Sequence, residues 1–318
     1  MLRLALILLM ASSVARAGDL PLKQAADVHL PGHPSRLDYA SLDPETRLLF
    51  IAHLGDDEVI AYDVEKKKVA GVIHGIGRVH GVLALPEFGK VYASATATNE
   101  IVAIDEKTMR VVARMPGGIY PDGMAYVPEE GKLYVSDEHG RTETVIDART
   151  DRRIATIRLK SEAGNSQYDP LSAHVFVSAQ SLGQLIESDP KTDRIVGRHG
   201  LPCCEGPHGL LIAANRAYVA CQDNDRLIVL DMKTMQVDSS FAVGGEPDVL
   251  AFDRALGRLY VAGEKGIVSV FDLSGKTKKT GEGYVAENAH VVAVDPASHL
   301  VYFPLKDVGG FPVLRIMK

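Results

Sequence analysis

Three histidines and three aspartates recur along the chain at intervals of about 42 residues: Asp38, His80, Asp122, His208, Asp248 and His290, with Asn165 in the remaining place. Neutral imidazole and carboxylate are ligands for divalent ions such as Zn²⁺ or Mn²⁺, and they are also the groups that move protons in general acid–base catalysis. His208 and His290 each follow an acid by three positions, Glu205 and Glu287, and Glu246 lies two before Asp248. Such acids suit a ligand, a partner that orients an imidazole, or a general base. The candidates therefore sort into three groups. Glu205, His208, Glu287 and His290 are the catalytic candidates; Asp38, His80, Asp122, Asn165 and Asp248 are candidates for ligand binding; His208, Asp248 and His290, which fall in consecutive repeats, are the candidate metal set. The plainer explanation of the same pattern is a polar rim whose side chains satisfy the backbone of the loops that carry them.

These residues converge only if the repeats close into a ring. Each polar residue opens a short apolar strand, and an aromatic follows at a nearly fixed distance, as in Asp38 with Phe50, His80 with Tyr92, Asp122 with Tyr134 and Asp248 with Tyr260. Asn165 with Phe176 and His208 with Tyr218 are slightly shorter copies, and His290 with Tyr302 makes seven units. Within a unit a third strand ends on Asp and a tight turn, as in Asp105-Glu106-Lys107-Thr108, and a fourth strand such as Val111–Met115 follows. Asp suits the first turn position because its carboxylate accepts from N–H groups two and three residues on. A four-strand unit repeated every 40–45 residues or so is the signature of a propeller blade. The expectation is an all-β, seven-bladed β-propeller of four-stranded antiparallel blades. The last unit supplies only three strands, so the segment from Lys23 to Leu30 is expected to complete it and close the ring without an open sheet edge.

Ring geometry puts the loops entering the inner strands on the same face as those between second and third strands. That face gathers the seven repeated residues at a channel mouth. It also gathers His53, Asp56 and Asp57, the loops 96–99, 137–141 and 221–225, and Glu264.

Met1–Ala17 reads as a secretory leader, with Arg3, an apolar run from Leu4 to Met10 and a small-residue exit at Ala15-Arg16-Ala17. Its run is too short to span a bilayer, so residues 18–318 are expected to be a single periplasmic or secreted domain with no membrane insertion. Removing the leader takes away Arg3 and Arg16 and moves the formal charge from −6 to about −8. An acidic chain without a Lys/Arg-rich run speaks against nucleic acid as a partner. In an exported protein Cys221 is expected to pair with Cys203 or Cys204, leaving one thiol; the sequence leaves the choice open.

The stretches Tyr134-Val135-Ser136, Phe176-Val177-Ser178, Tyr218-Val219-Ala220 and Tyr260-Val261-Ala262, with the Asp-x-x-Thr turns, resemble the YVTN repeat of bacterial YncE-like propellers. The resemblance covers the chain beyond the leader and implies export and a seven-bladed ring. Three functions follow as expectations. The first is a binding module whose loop face holds a small molecule or a protein partner, with a divalent metal ion as the only cofactor considered. The second is a metal-dependent, lactonase-like hydrolase or lyase using the His/Asp/Glu ring. The third is an accessory to electron transfer or metal handling, suggested by Cys203 and Cys204 beside His208.

Overall fold

A computed structural model describes residues 19–318; the leader expected over Met1–Ala17 lies outside the described residues. Seven four-stranded antiparallel sheets follow one another along the chain. From the axis outward the strands of blade 1 are Ala40–Leu42, Leu48–His53, Glu58–Asp63 and Lys68–His74, and those of blade 2 are Val79–Leu85, Lys90–Ala95, Glu100–Asp105 and Arg110–Pro116. Blades 3 to 6 begin at Pro121, Ala163, Pro207 and Pro247 and repeat the order. Blade 7 takes Ala293–Val294, Val301–Leu305 and Val313–Met317, and its outer strand is Gln24–His29 from the other end of the chain. Lys23 N–H donates to the Lys318 carbonyl at 2.8 Å and Lys318 N–H donates back at 3.0 Å, extending that ladder to the last residue.

The pattern of burial explains why the blades stack. The second and third strands are apolar and almost wholly buried, as in Leu48–His53 and Glu58–Asp63, because both faces of each sheet are covered by neighbouring blades. Outer strands alternate exposed and half-buried residues, as in Arg110–Pro116, because only one face meets a neighbour. The repeated aromatics Phe50, Tyr92, Tyr134, Phe176, Tyr260 and Tyr302 are buried. Tyr92 donates to the Ala148 carbonyl at 3.0 Å, and Tyr134 donates to Asp193 at 2.5 Å, so each also locks onto the outer turn of the next blade. The Asp turns form as the sequence suggests, with Asp231 Oδ1 accepting from Lys233 N–H at 2.8 Å and Thr234 N–H at 2.9 Å. No helix among the described residues is long and apolar enough to cross a membrane.

Candidate functional site

Two tiers of side chains meet at one end of the central channel. The first comes from the loops entering the inner strands. In blades 2 to 6 the pairing of first and second strands breaks once, between Val79 and Val82, Pro121 and Met124, Ala163 and Ser166, Pro207 and Leu210, and Pro247 and Leu250. Such breaks release a residue from the ladder and turn its side chain. His80, Asp122, Asn165, His208 and Asp248 sit in these breaks, and all seven repeated residues are buried, from 1% exposed at His290 to 8% at Asn165 and His208. Glycines follow three of them because the blades crowd at the axis: a Cβ on Gly81 would clash with the Asp122 carbonyl, and one on Gly209 with the Asp248 carbonyl. The second tier comes from the position just after each second strand. Leu54, Thr96, Glu138, Gln180, Gln222, Glu264 and Lys306 occupy it at one constant interval of about 42 residues.

Five members of the first tier, with Leu54, Glu138, Gln222 and Glu264 of the second, line a cavity of about 310 Å³. Arg36, Arg78 and Tyr120 also line it, each two residues before a first-tier residue. Arg36 is the fixed cation: it donates to Asp38 Oδ2 at 3.1 Å, Glu264 Oε1 at 2.7 Å and His290 Nε2 at 3.0 Å. Burial opposes charge on Asp38, but the Arg36 guanidinium, 3.1 Å away, holds its carboxyl below the usual range. His290 Nδ1 donates to the Asn288 carbonyl at 3.0 Å. Burial lowers the pKa of this ring and Asp38, 3.9 Å from Nε2, raises it, with a net upward shift. A proton on Nε2 would nonetheless face the Arg36 donor, so the neutral ring is the one that fits the contacts. His80 is neutral as well, since burial pushes its pKa down; its Nδ1 donates to the Arg78 carbonyl at 2.9 Å and its Nε2 accepts from Tyr120 Oη at 3.0 Å.

His208 and Asp122 differ from these satisfied groups. Burial opposes a charge on His208, but Asp248, 3.2 Å from Nε2, raises its pKa to about 9. Asp122 moves the other way: burial and the Asp38 charge push its carboxyl well above the usual range. His208 Nδ1, Asp122 Oδ1 and Asp248 Oδ1 are buried without a hydrogen-bond partner, the Asp248 contact with His208 being close but poorly aligned. Arg78, exposed at the rim, makes no side-chain hydrogen bond or ion pair among the described residues. The mouth therefore offers a free guanidinium, an imidazolium donor and two unpartnered carboxyl oxygens to whatever enters.

Tyr39 forms the floor. Its hydroxyl donates across the channel to Asn165 Oδ1, and the ring lines both the mouth cavity and a second cavity of about 360 Å³ further down the channel.

Comparison with known proteins adds the fold. Hydrazine synthase from Kuenenia stuttgartiensis superposes with a TM-score of 0.77 at 14% identity, over 92% of this chain and 98% of that one. A chain of a mitotic checkpoint complex superposes with a TM-score of 0.77 at 9% identity, over 100% and 97%. The likeness is one of fold. No family model and no curated protein matches the sequence.

The sequence candidates reach different places. Asp38, His80, Asp122, His208 and Asp248 line the mouth, His290 lies behind Arg36, and Asn165 holds the floor. Glu205 and Glu287 are exposed, with Glu287 paired to Lys306 at 2.7 Å, and Glu246 is paired to Lys265 at 2.8 Å. None of these three lines the cavity; Glu138 and Glu264 are the glutamates that do. Of the candidate metal set, Asp248 and His290 have donor atoms within 4.8 Å of one another and of Glu264, while His208 touches only Asp248 of that group. Imidazole with two carboxylates suits a divalent ion, but Arg36 already donates to Glu264 and His290, so an ion there would compete with a guanidinium. A second group, His53, Asp56 and Glu58, has comparable geometry. Cys204 pairs with Cys221 and Cys203 is the exposed free thiol. The bridge ties the loop carrying His208 to the end of its own blade's second strand.

Proposed function

We propose that this β-propeller is a binding module that takes a small hydroxylated organic anion into the channel mouth. The observation that carries the reading is the set of unpartnered buried atoms, His208 Nδ1, Asp122 Oδ1 and Asp248 Oδ1, beside the free Arg78. An unmade hydrogen bond in a buried site costs about 1–3 kcal/mol, which a bound ligand recovers. Arg78 and His208 take the anionic group, and Asp248 and Glu138 accept from hydroxyls. Residues 18–318 act as one domain, exported after cleavage at Ala17; the Cys204–Cys221 bridge supports an oxidising destination, periplasmic or secreted. The YVTN-like stretches support kinship with YncE-like propellers.

Calorimetric titration with a panel of hydroxy acids and sugar acids tests this. A ligand that fits should bind with an affinity that falls at least tenfold in Arg78→Ala, matching the loss of one hydrogen bond to a charged group. Absence of binding across the panel, or equal affinity in the variant, would sink it. The second reading is a metal-dependent hydrolase or lyase, favoured by the closeness of Asp248, Glu264 and His290. Here the two carboxylates and the imidazole would hold the ion, which would polarise a carbonyl. The same titrations with Zn²⁺ or Mn²⁺ separate the readings, since Arg36→Ala would strengthen metal binding at that group.

A further inference from the structure

We propose a second, independent site: a divalent transition-metal centre on blade 1 built from His53, Asp56 and Glu58, with His33 and His74 closing on it. His33, Asp56, Glu58 and His74 line an open cleft of about 630 Å³ that shares no lining residue with the mouth cavity, and His53 is buried beside Glu58. Donor atoms of His53, Asp56 and Glu58 all lie within 4.8 Å of one another. His53 Nδ1 is 3.2 Å from Glu58 Oε1, His74 Nδ1 is 2.9 Å from Glu58 Oε2, and His33 Nδ1 is 3.1 Å from Asp56 Oδ2. Around a tetrahedral ion with bonds of about 2.0–2.1 Å, neighbouring donors stand roughly 3.3 Å apart, so these pairs already have ligand spacing.

Proton counting gives an independent reason. Ser35 Oγ donates its only proton to Asp56 Oδ1 at 3.0 Å, so toward His53 Nε2, 2.9 Å away, it accepts. The Nε2 atom therefore carries the hydrogen, and in the neutral ring Nδ1 presents a lone pair. That lone pair faces a carboxylate oxygen across 3.2 Å, an acceptor facing an acceptor. A cation between them removes the conflict, and Ser35 then fills the role of the outer partner that fixes the tautomer of a ligating histidine. The backbone is shaped to the cluster: Gly32 has φ +94°, and a Cβ there would lie 2.5 Å from Asp56 Oδ2 and 2.6 Å from His53 Cε1. Burial divides the labour. His53 and Glu58 are held in the packed blade, while the His33 and His74 side chains, 89% and 74% exposed, are free to swing onto an arriving ion. Imidazole-rich donors with carboxylates select zinc-class first-row ions over Ca²⁺ or Mg²⁺.

The test uses the full chain without a polyhistidine tag, stripped by chelator and titrated with Zn²⁺ against a chromogenic competitor. One equivalent of Zn²⁺ should bind at this site, resist excess Ca²⁺ and Mg²⁺, and weaken at least tenfold in the double variant His33→Ala/His74→Ala. Both changes are at exposed positions, and an unchanged melting temperature verifies the fold. Glu58→Gln should weaken binding further. Glu264→Gln, at the mouth, should leave this equivalent intact. Failure of the wild-type protein to bind Zn²⁺ overturns the proposal. So does full competition by Ca²⁺, affinity unmoved in the double variant, or loss of the ion in Glu264→Gln alone. Each outcome is separable from binding of an organic anion at the mouth, which uses none of these residues.

Discussion

His208 keeps a proton at neutral pH because Asp248 stands 3.2 Å from Nε2, and its Nδ1 has no partner in the fold. The charge is fully present below the ordinary histidine value near 6.5 and is lost as pH rises through about 9. Anion binding at the mouth should therefore hold from pH 6 to 8 and weaken above 9. In Asp248→Asn the fall should begin at lower pH, read by titration of the ring's NMR signals alongside the affinity. A ring that titrates near 6.5 in the wild-type protein would contradict the assignment. Residue by residue, the first tier was legible because one repeat register carries all seven members. The acids beside it were not. Glu246 and Glu287 turn outward to Lys265 and Lys306, whereas Arg36, Arg78 and Tyr120 turn inward, and spacing along the chain cannot decide which way a loop side chain turns. Glu264 and the loop 137–141 that carries Glu138 are placed on this face by the sequence, and the constant interval that links both glutamates to Leu54 and Gln222 gives them one position in the repeat. Tyr39 had no such signal, since no other blade places an aromatic at that position.

At the scale of the strand, the ladder break near the start of the inner strand in blades 2 to 6 turns repetition into a site. At Gly81 and Gly209, which follow released residues, the neighbouring blade's backbone carbonyl occupies the space of a Cβ. Gly209→Ala should cost about 1–3 kcal/mol, as overpacking does, and should push Asp248 away from His208. Denaturant unfolding measures the first effect and the pKa of His208 the second. A variant of unchanged stability would show that the inner strands yield more readily than their contacts imply. The four-strand order and the Asp turns could be read from sequence because both depend on local pattern: alternation, turn chemistry and aromatic spacing. The closing strand needed a further argument, that a ring of sheets leaves no edge unpaired, and Gln24–His29 takes the place that argument assigns it.

Taken whole, the molecule holds protons that its unfolded chain would release. Burial and the neighbouring Asp43 push Glu106 to about 8, and burial pushes Glu143 to about 7. Both acids have folded pKa values above their unfolded ones. Their contribution is fully present below about 4.5 and is lost as pH rises through 7 to 8, in the same direction as that of His208. Carboxyls held low, such as Asp38 and Asp295, act oppositely, and only as pH falls below about 4. Thermal stability should therefore decline between pH 5 and 8.5, and Glu106→Gln should flatten the slope in calorimetry. A rising melting temperature over that range would refute the balance. The hydrogen bonds between Lys23 and Lys318 carry a consequence in time rather than in space. The first described strand to leave the ribosome cannot find its partner until the last has been made. Six blades must assemble around an unfinished circle, and the pairing that spans nearly the whole described chain forms at the end. Contacts so distant along the chain are slow to form, and their open edges invite wrong partners while they wait.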